Sequence, residues 1–180
     1  MKRNIIAIAF LFLALSFFSP TKSFALMADI GTAELAKEAK IIVQGEVKSV
    51  KSYRGINNVI YTRASVSVSD VFKGKIAKKN ITVEYEGGEV GNIGMSVEDE
   101  PTLEKGEQVL LFLTNSFWRK NIYYVVGGVL GKYAICLDDT VRVGVSCNES
   151  DETDVDEEED KIPEIKQTLD ELLNEIENAE

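Results

Sequence analysis

The chain has 180 residues, 30 acidic against 20 basic side chains, a net charge of −10 and no histidine. The missing imidazole excludes Ser-His-Asp and Cys-His nucleophile systems, H-E-x-x-H zinc proteases and histidine-based metal sites. Residues 26–148 hold 15 acidic and 15 basic groups, whereas 149–180 hold 15 acids and only Lys161 and Lys166. A neutral body thus carries an acidic tail, with no basic footprint for nucleic acid and no polybasic face for anionic lipid.

Residues 1–25 read as a signal peptide. Lys2 and Arg3 precede a short apolar run from Ile5 to Phe18, and Ser23 and Ala25 put small residues at the −3 and −1 positions of a cleavage site. The run falls short of the ~20 residues a bilayer span needs, so no stable membrane insertion is expected after cleavage. No cysteine follows it to carry a lipid. The expected location is secreted or periplasmic, and export sets the redox setting for Cys136 and Cys147, the two cysteines of the chain. They are expected to pair. A two-residue turn centred on Asp138 and Asp139 would not set them opposite each other, so the bridge requires a longer or skewed loop.

Residues 26–148 have the size of one domain. Residues 32–39 spell a short helix, with Thr32 as N-cap and Glu34 in the first turn, where the helix dipole favours an anion. Period-two alternation follows: Val43, Gly45 and Val47 oppose Gln44, Glu46 and Lys48. A turn at 53–58 leads into a long strand in which Ile60, Thr62, Ala64, Val66 and Val68 share one face, and a strand of that length curves in a barrel or bends across two sheets. Further strands are expected at Ile81–Val83–Tyr85, over 109–113 and 122–126 as uniformly apolar runs, at 133–135 and over 141–145. Many short strands and one brief helix predict an all-β fold with small α content, an OB-like, partly open β-barrel.

The composition then breaks. Residues 149–160 contain nine acids in 12 positions, so 149–162 is expected to be an acidic disordered linker. Its alternating acids lack the glycine and the spaced bidentate glutamate of a calcium loop. Over 163–180, Pro163 opens an amphipathic helix whose stripe is Ile165, Leu169, Leu172, Leu173 and Ile176. Alone in water such a helix is marginal. Its stripe is expected to dock on its own barrel or on a partner.

The least ordinary stretch of the body lies between Glu86 and Glu104. Gly87, Gly88, Glu89, Gly91, Asn92 and Gly94 form a glycine-rich run followed by Glu98, Asp99, Glu100 and Pro101. It lacks the Gly-Lys-Ser/Thr ending of a phosphate cradle, and its acids would repel phosphate. It is either a structural connection tucked across a barrel end or an interaction loop. With the stripe of Ile165, Leu169, Leu172 and Ile176, it supplies the candidate interaction residues. No catalytic, metal or cofactor motif stands out. Tyr61, Trp118, Tyr123 and Tyr124 suggest an aromatic patch, although aromatics in strands more often pack in cores.

The runs ELAKEAKIIVQGEVKSV, IYTRASVSVSDVFKG, GGEVGNIGMSVEDEPTLEKGEQVLLFL and VVGGVLGKYAI resemble an uncharacterised module of exported bacterial proteins and, more distantly, the OB-fold barrels of TIMP/netrin-type metalloproteinase inhibitors. The resemblance implies a barrel entered through a helix. The inhibitors chelate zinc through an N-terminal disulfide-bonded cysteine, and no cysteine precedes Cys136 here, so that chemistry does not carry over. The expected function is that of a non-enzymatic exported binding module with an unidentified protein partner or ligand. Inhibition of a secreted protease and a carboxylate-based hydrolase are the alternatives.

Overall fold

The computed structural model describes residues 31–147 and 167–179. The signal peptide, the acidic linker, Pro163 and Ile165 lie outside the described residues. Helix α1 (Thr32–Glu38) leads into two long strands, β1 (Ile41–Arg54) and β2 (Ile60–Lys73). Then follow β3 (Asn80–Glu86), a small hairpin of β4 (Gly88–Val90) and β5 (Ile93–Met95), β6 (Gln108–Asn115), β7 (Ile122–Val125), β8 (Lys132–Ile135) and β9 (Thr140–Val143). A two-residue strand β10 (Gln167–Thr168) runs directly into helix α2 (Leu169–Ala179).

Five strands form a closed β-barrel. The circuit runs β1-β2-β3-β7-β6, with β3 and β7 parallel, and Ile41–Glu46 of β1 pair with Leu113–Gln108 of β6. That last ladder closes a ring expected to stay partly open. The alternation read along β2 is the inward set: Ile60, Thr62, Ala64, Val66 and Val68 are all buried. Ala64, Val66 and Val68 join Val43, Val47, Ile81, Val83, Tyr85, Val109, Leu111 and Leu113 in the barrel core. The length of β1 and β2 is absorbed by three register shifts in the ladder between them, which bend the pair around the barrel.

Strand β6 is apolar at every position from 109 to 113 because it serves two cores. Leu110 and Phe112 point away from the barrel into a second cluster with Leu35, Ala36, Ala39, Tyr133, Val141, Val143, Leu172 and Ile176. Helix α2 therefore docks on its own chain, against α1 and the outer face of the barrel. Thr32 is not the N-cap of α1: Gly31 takes that position without a side-chain cap, and the Thr32 hydroxyl lies 3.2 Å from the Tyr133 hydroxyl instead.

Cys136 and Cys147 form a disulfide with Cα atoms 5.5 Å apart. The β8–β9 turn is longer than a two-residue one, since Cys136 N–H donates to the Thr140 carbonyl and Asp139 adopts φ +60°. Gly144 (φ +74°) then turns the chain after β9, so the loop closes in the skewed way the spacing requires.

Candidate functional site

The glycine-rich stretch is a hairpin, ordered by two of its glycines. Gly91, at φ +64° with open space around it, takes the first position of the two-residue turn, where the primed hairpin turns place glycine. Gly88 sits at φ +111°, where an added Cβ would lie 2.2 Å from Thr62 Oγ1. Next to it, the Thr62 hydroxyl donates to the Gly87 carbonyl at 2.6 Å. Gly87 and Gly88 thus fasten the hairpin to the barrel, while Glu89, Gly91, Asn92 and Gly94 remain exposed. The connection after β5 crosses the barrel end and is pinned at depth. Leu103 enters the barrel core, and the buried Lys132 ammonium donates to the Thr102 carbonyl at 2.7 Å and pairs with Glu107 at 2.7 Å.

A cleft lies elsewhere among the described residues, on the outer face of β2, β3 and β7. It has a volume of about 580 Å³ and is lined among others by Tyr53, Tyr61, Arg63, Glu84, Glu86, Glu100, Arg119 and Tyr124. Pairing register explains the assembly. Arg63 stands opposite Glu84, and Tyr61 opposite both Glu86 and Tyr53, all on outward positions of their strands. Of the predicted glycine-rich segment only its ends, Glu86 and Glu100, reach the cleft. Leu172 and Ile176 are buried in the second core far along the sequence from any cleft residue, Leu169 packs beside them, and none of the three lines it.

Glu84 organises the cleft floor. Its side chain is 1% exposed. Oε2 accepts from the Tyr53 hydroxyl at 2.7 Å, from Arg63 Nε at 2.7 Å and from Arg119 Nη1 at 3.0 Å. Oε1 accepts from Arg119 Nη2 and from the Tyr124 hydroxyl at 3.3 Å. Burial pushes the Glu84 pKa up, but the hydrogen bonds from Tyr53, Arg119 and Arg63 outweigh it and leave it below the ordinary carboxylate value. The same contact with Glu84 raises Arg119. The Arg63 guanidinium also lies 4.6 Å from the centroid of the Tyr53 ring, which in turn stacks on Tyr61 at 5.9 Å.

Two further acids, Glu86 and Glu100, line the same cleft. Burial, and then the charges of Glu86 and Asp99, raise the Glu100 pKa, although its carboxylate accepts the Glu86 backbone N–H. Burial and the Glu86 carboxylate, which accepts from its hydroxyl, raise Tyr61.

The β6–β7 connection, whose Arg119 lines the cleft, carries Phe117 and Trp118, each 87% exposed, in a T-shaped pair with centroids 4.7 Å apart. Its root is fixed. Ser116 N–H donates to the Ile122 carbonyl at 2.9 Å, Arg119 N–H to the Ser116 hydroxyl at 3.2 Å, and the Arg119 guanidinium grips Glu84 and the Tyr124 hydroxyl. The predicted aromatic patch therefore separates: Tyr123 packs in the barrel core, Tyr61 and Tyr124 line the cleft, and Trp118 stands in solvent. Sequence reasoning missed Tyr53, Arg63, Glu84, Phe117 and Arg119. The available signal was charge on the outward positions of paired strands and two adjacent aromatics inside a polar turn.

Among the described residues no group of acids and cysteines is arranged to hold a metal ion, and no helix is long and apolar enough to cross a membrane. No family model matches the chain, and no curated protein matches it.

Proposed function

We propose that the chain is an exported, non-enzymatic binding module whose contact surface is the outer face of β2, β3 and β7, between the β1–β2 and β6–β7 connections. The observation that carries the reading is the pair Phe117 and Trp118. Two large aromatic rings held in water on a braced loop beside a preformed cleft cost solvation energy that only a bound partner recovers. Ile56 on the β1–β2 connection, also exposed, lines the cleft. Small barrels of this strand order commonly present ligands with the same face and loops, a fold-level analogy that adds support. Export to a secreted or periplasmic setting is supported by the Cys136–Cys147 bond, since disulfides persist in oxidising compartments.

A carboxylate hydrolase has one observation in its favour: Glu84 and Glu100 share a cleft that drives their pKa values in opposite directions. The hydrogen bonding weighs against it. Both Glu84 oxygens are already occupied by tyrosine and arginine donors, which leaves no lone pair facing a substrate.

Site-specific photo-crosslinking tests the binding reading. A benzophenone amino acid replacing Phe117 in the exported protein of its own cells should give a defined adduct, and the same group replacing the fully exposed Leu137 should not. Identical patterns at both positions would overturn the assignment of this face.

A further inference from the structure

We propose that the cleft takes a neutral oligosaccharide, with sugar rings stacked on Trp118 and the tyrosine walls and hydroxyls bridging its arginine and glutamate groups. The inference rests on the reading of this cleft as a binding face and names its ligand class.

Charge removes the alternatives in turn. A polyanion would use Arg63 and Arg119, but Glu84 offsets one of their two charges, and it would meet Glu86 and Glu100 in the same cleft. A simple cation would use Glu86 and Glu100 and meet the two guanidiniums. An apolar ligand would strand the polar walls without partners, and a buried polar group left unpaired is penalised by its full desolvation cost. A protein partner wants an apolar interface core from which charges are depleted. Here Ile56 is the exposed apolar side chain of the cleft lining, Phe117 and Trp118 stand in solvent on the connection that brings Arg119 into it, and the hollow itself is charged.

A hydroxyl is the group that answers both kinds of charge, because it donates and accepts at once. Arg63 and Arg119 have side chains 41% and 40% exposed, and each guanidinium carries N–H donors beyond those committed to Glu84 and the tyrosines. In the same cleft the Glu86 and Glu100 carboxylates keep acceptor capacity after receiving Tyr61 and the Glu86 backbone N–H. Vicinal hydroxyls of a pyranose match such planar, two-atom groups. The weakly polar C–H face of the same ring matches an open aromatic face, and Trp118 offers one in solvent, next in sequence to the cleft residue Arg119. The ion-pair network holds these groups in place before the ligand arrives, which lowers the ordering cost of binding. A cleft of about 580 Å³ falls within the usual size of small-ligand sites and leaves room for a short chain of rings.

Trp118 is the one tryptophan of the chain and so reports on its own site. The full-length exported protein is titrated with neutral tetrasaccharides of glucose, xylose, mannose, galactose and N-acetylglucosamine, each to millimolar concentration, and read by tryptophan emission, acrylamide quenching and calorimetry. At least one should shift the emission to the blue and protect Trp118 from quenching. By calorimetry Trp118→Ala and Glu86→Ala should each weaken that sugar about tenfold, while Leu137→Ser, away from the cleft, leaves it unchanged. Silence across the whole panel overturns the inference. So does a response to a sulfated tetrasaccharide or a neutral tetrapeptide with no response to neutral sugars. In that last case the ligand class fails while the binding face stands, whereas the crosslinking result above decides the face itself.

Discussion

Helix α2 and the β6–β7 connection both carry large apolar side chains between charged or polar neighbours, and the fold disposes of them in opposite ways. Leu172 and Ile176 are buried against α1, β6, β8 and β9, whereas Phe117 and Trp118 stand in water. The difference is geometric. A helical stripe can be laid whole against a complementary surface, and β10 pairing with Thr140 and Val141 of β9 delivers α2 to one. The β6–β7 connection is tied at both ends, and its Ser116–Ile122 hydrogen bond and the Arg119 grip on Glu84 point its tip outward. An apolar stripe in a sequence thus marks a core whenever the chain can reach around to cover it. A pair of aromatics in a braced turn has no such route and stays in water.

The comparison can be broken at three points, and the largest effect belongs to the helix. Leu172→Ala empties a fully buried site and should lower stability by about 2–5 kcal/mol in denaturant unfolding. A change below ~0.5 kcal/mol would mean that α2 sits loosely on the barrel and that its stripe is available to a partner.

The brace comes second. Glu84→Gln removes the charge on which Arg63 and Arg119 converge and should cost about 2–3 kcal/mol, less than a fully dry ion pair because both arginines are partly exposed. The wild type should show the matching pH dependence. Because the folded Glu84 pKa lies below its ordinary value of 4.5, its contribution is complete above that value and is lost as pH falls through the folded one. Glu100, raised in the fold, acts the other way: its ionisation above 4.5 opposes folding, and protonation relieves it. A wild type and Glu84→Gln that lose stability in parallel between neutral and acid pH would remove Glu84 from this role.

The smallest effect is expected at the tip. The double variant Phe117→Ser, Trp118→Ser should melt within ~0.5 kcal/mol of the parent. A clear loss of stability would show that the rings serve the fold, and the contrast with α2 would disappear.

Much of the barrel was legible because its signals are local. The period-two alternation from Ile60 to Val68 is the inward face of β2, and the unbroken apolar run at 109–113 foretold a strand covered on both sides. Cys136 and Cys147 were expected to pair, and the loop between them is skewed as their spacing demanded. The cleft was not legible in the same way. Glu84 comes from β3, Arg63 from β2, Tyr53 from β1, and Arg119 from the β6–β7 connection, so no spacing within any one segment ties them together. The glycine-rich run attracted notice for its composition, yet its glycines serve a tight turn and a close approach to Thr62.

By itself, then, the sequence determined the strands, the amphipathic face of α2 and the neutrality of the body, because each depends on side-chain period or on composition. Tertiary structure alone decided that β1 would pair with β6 and close the ring, that α2 would be covered by its own chain, and that one buried carboxylate would gather two arginines and two tyrosines. Each of those outcomes depends on which strands become neighbours and in what register. A register is chosen by the packing of the whole barrel, since a slip of one residue would turn Arg63 and Glu84 inward and the core outward.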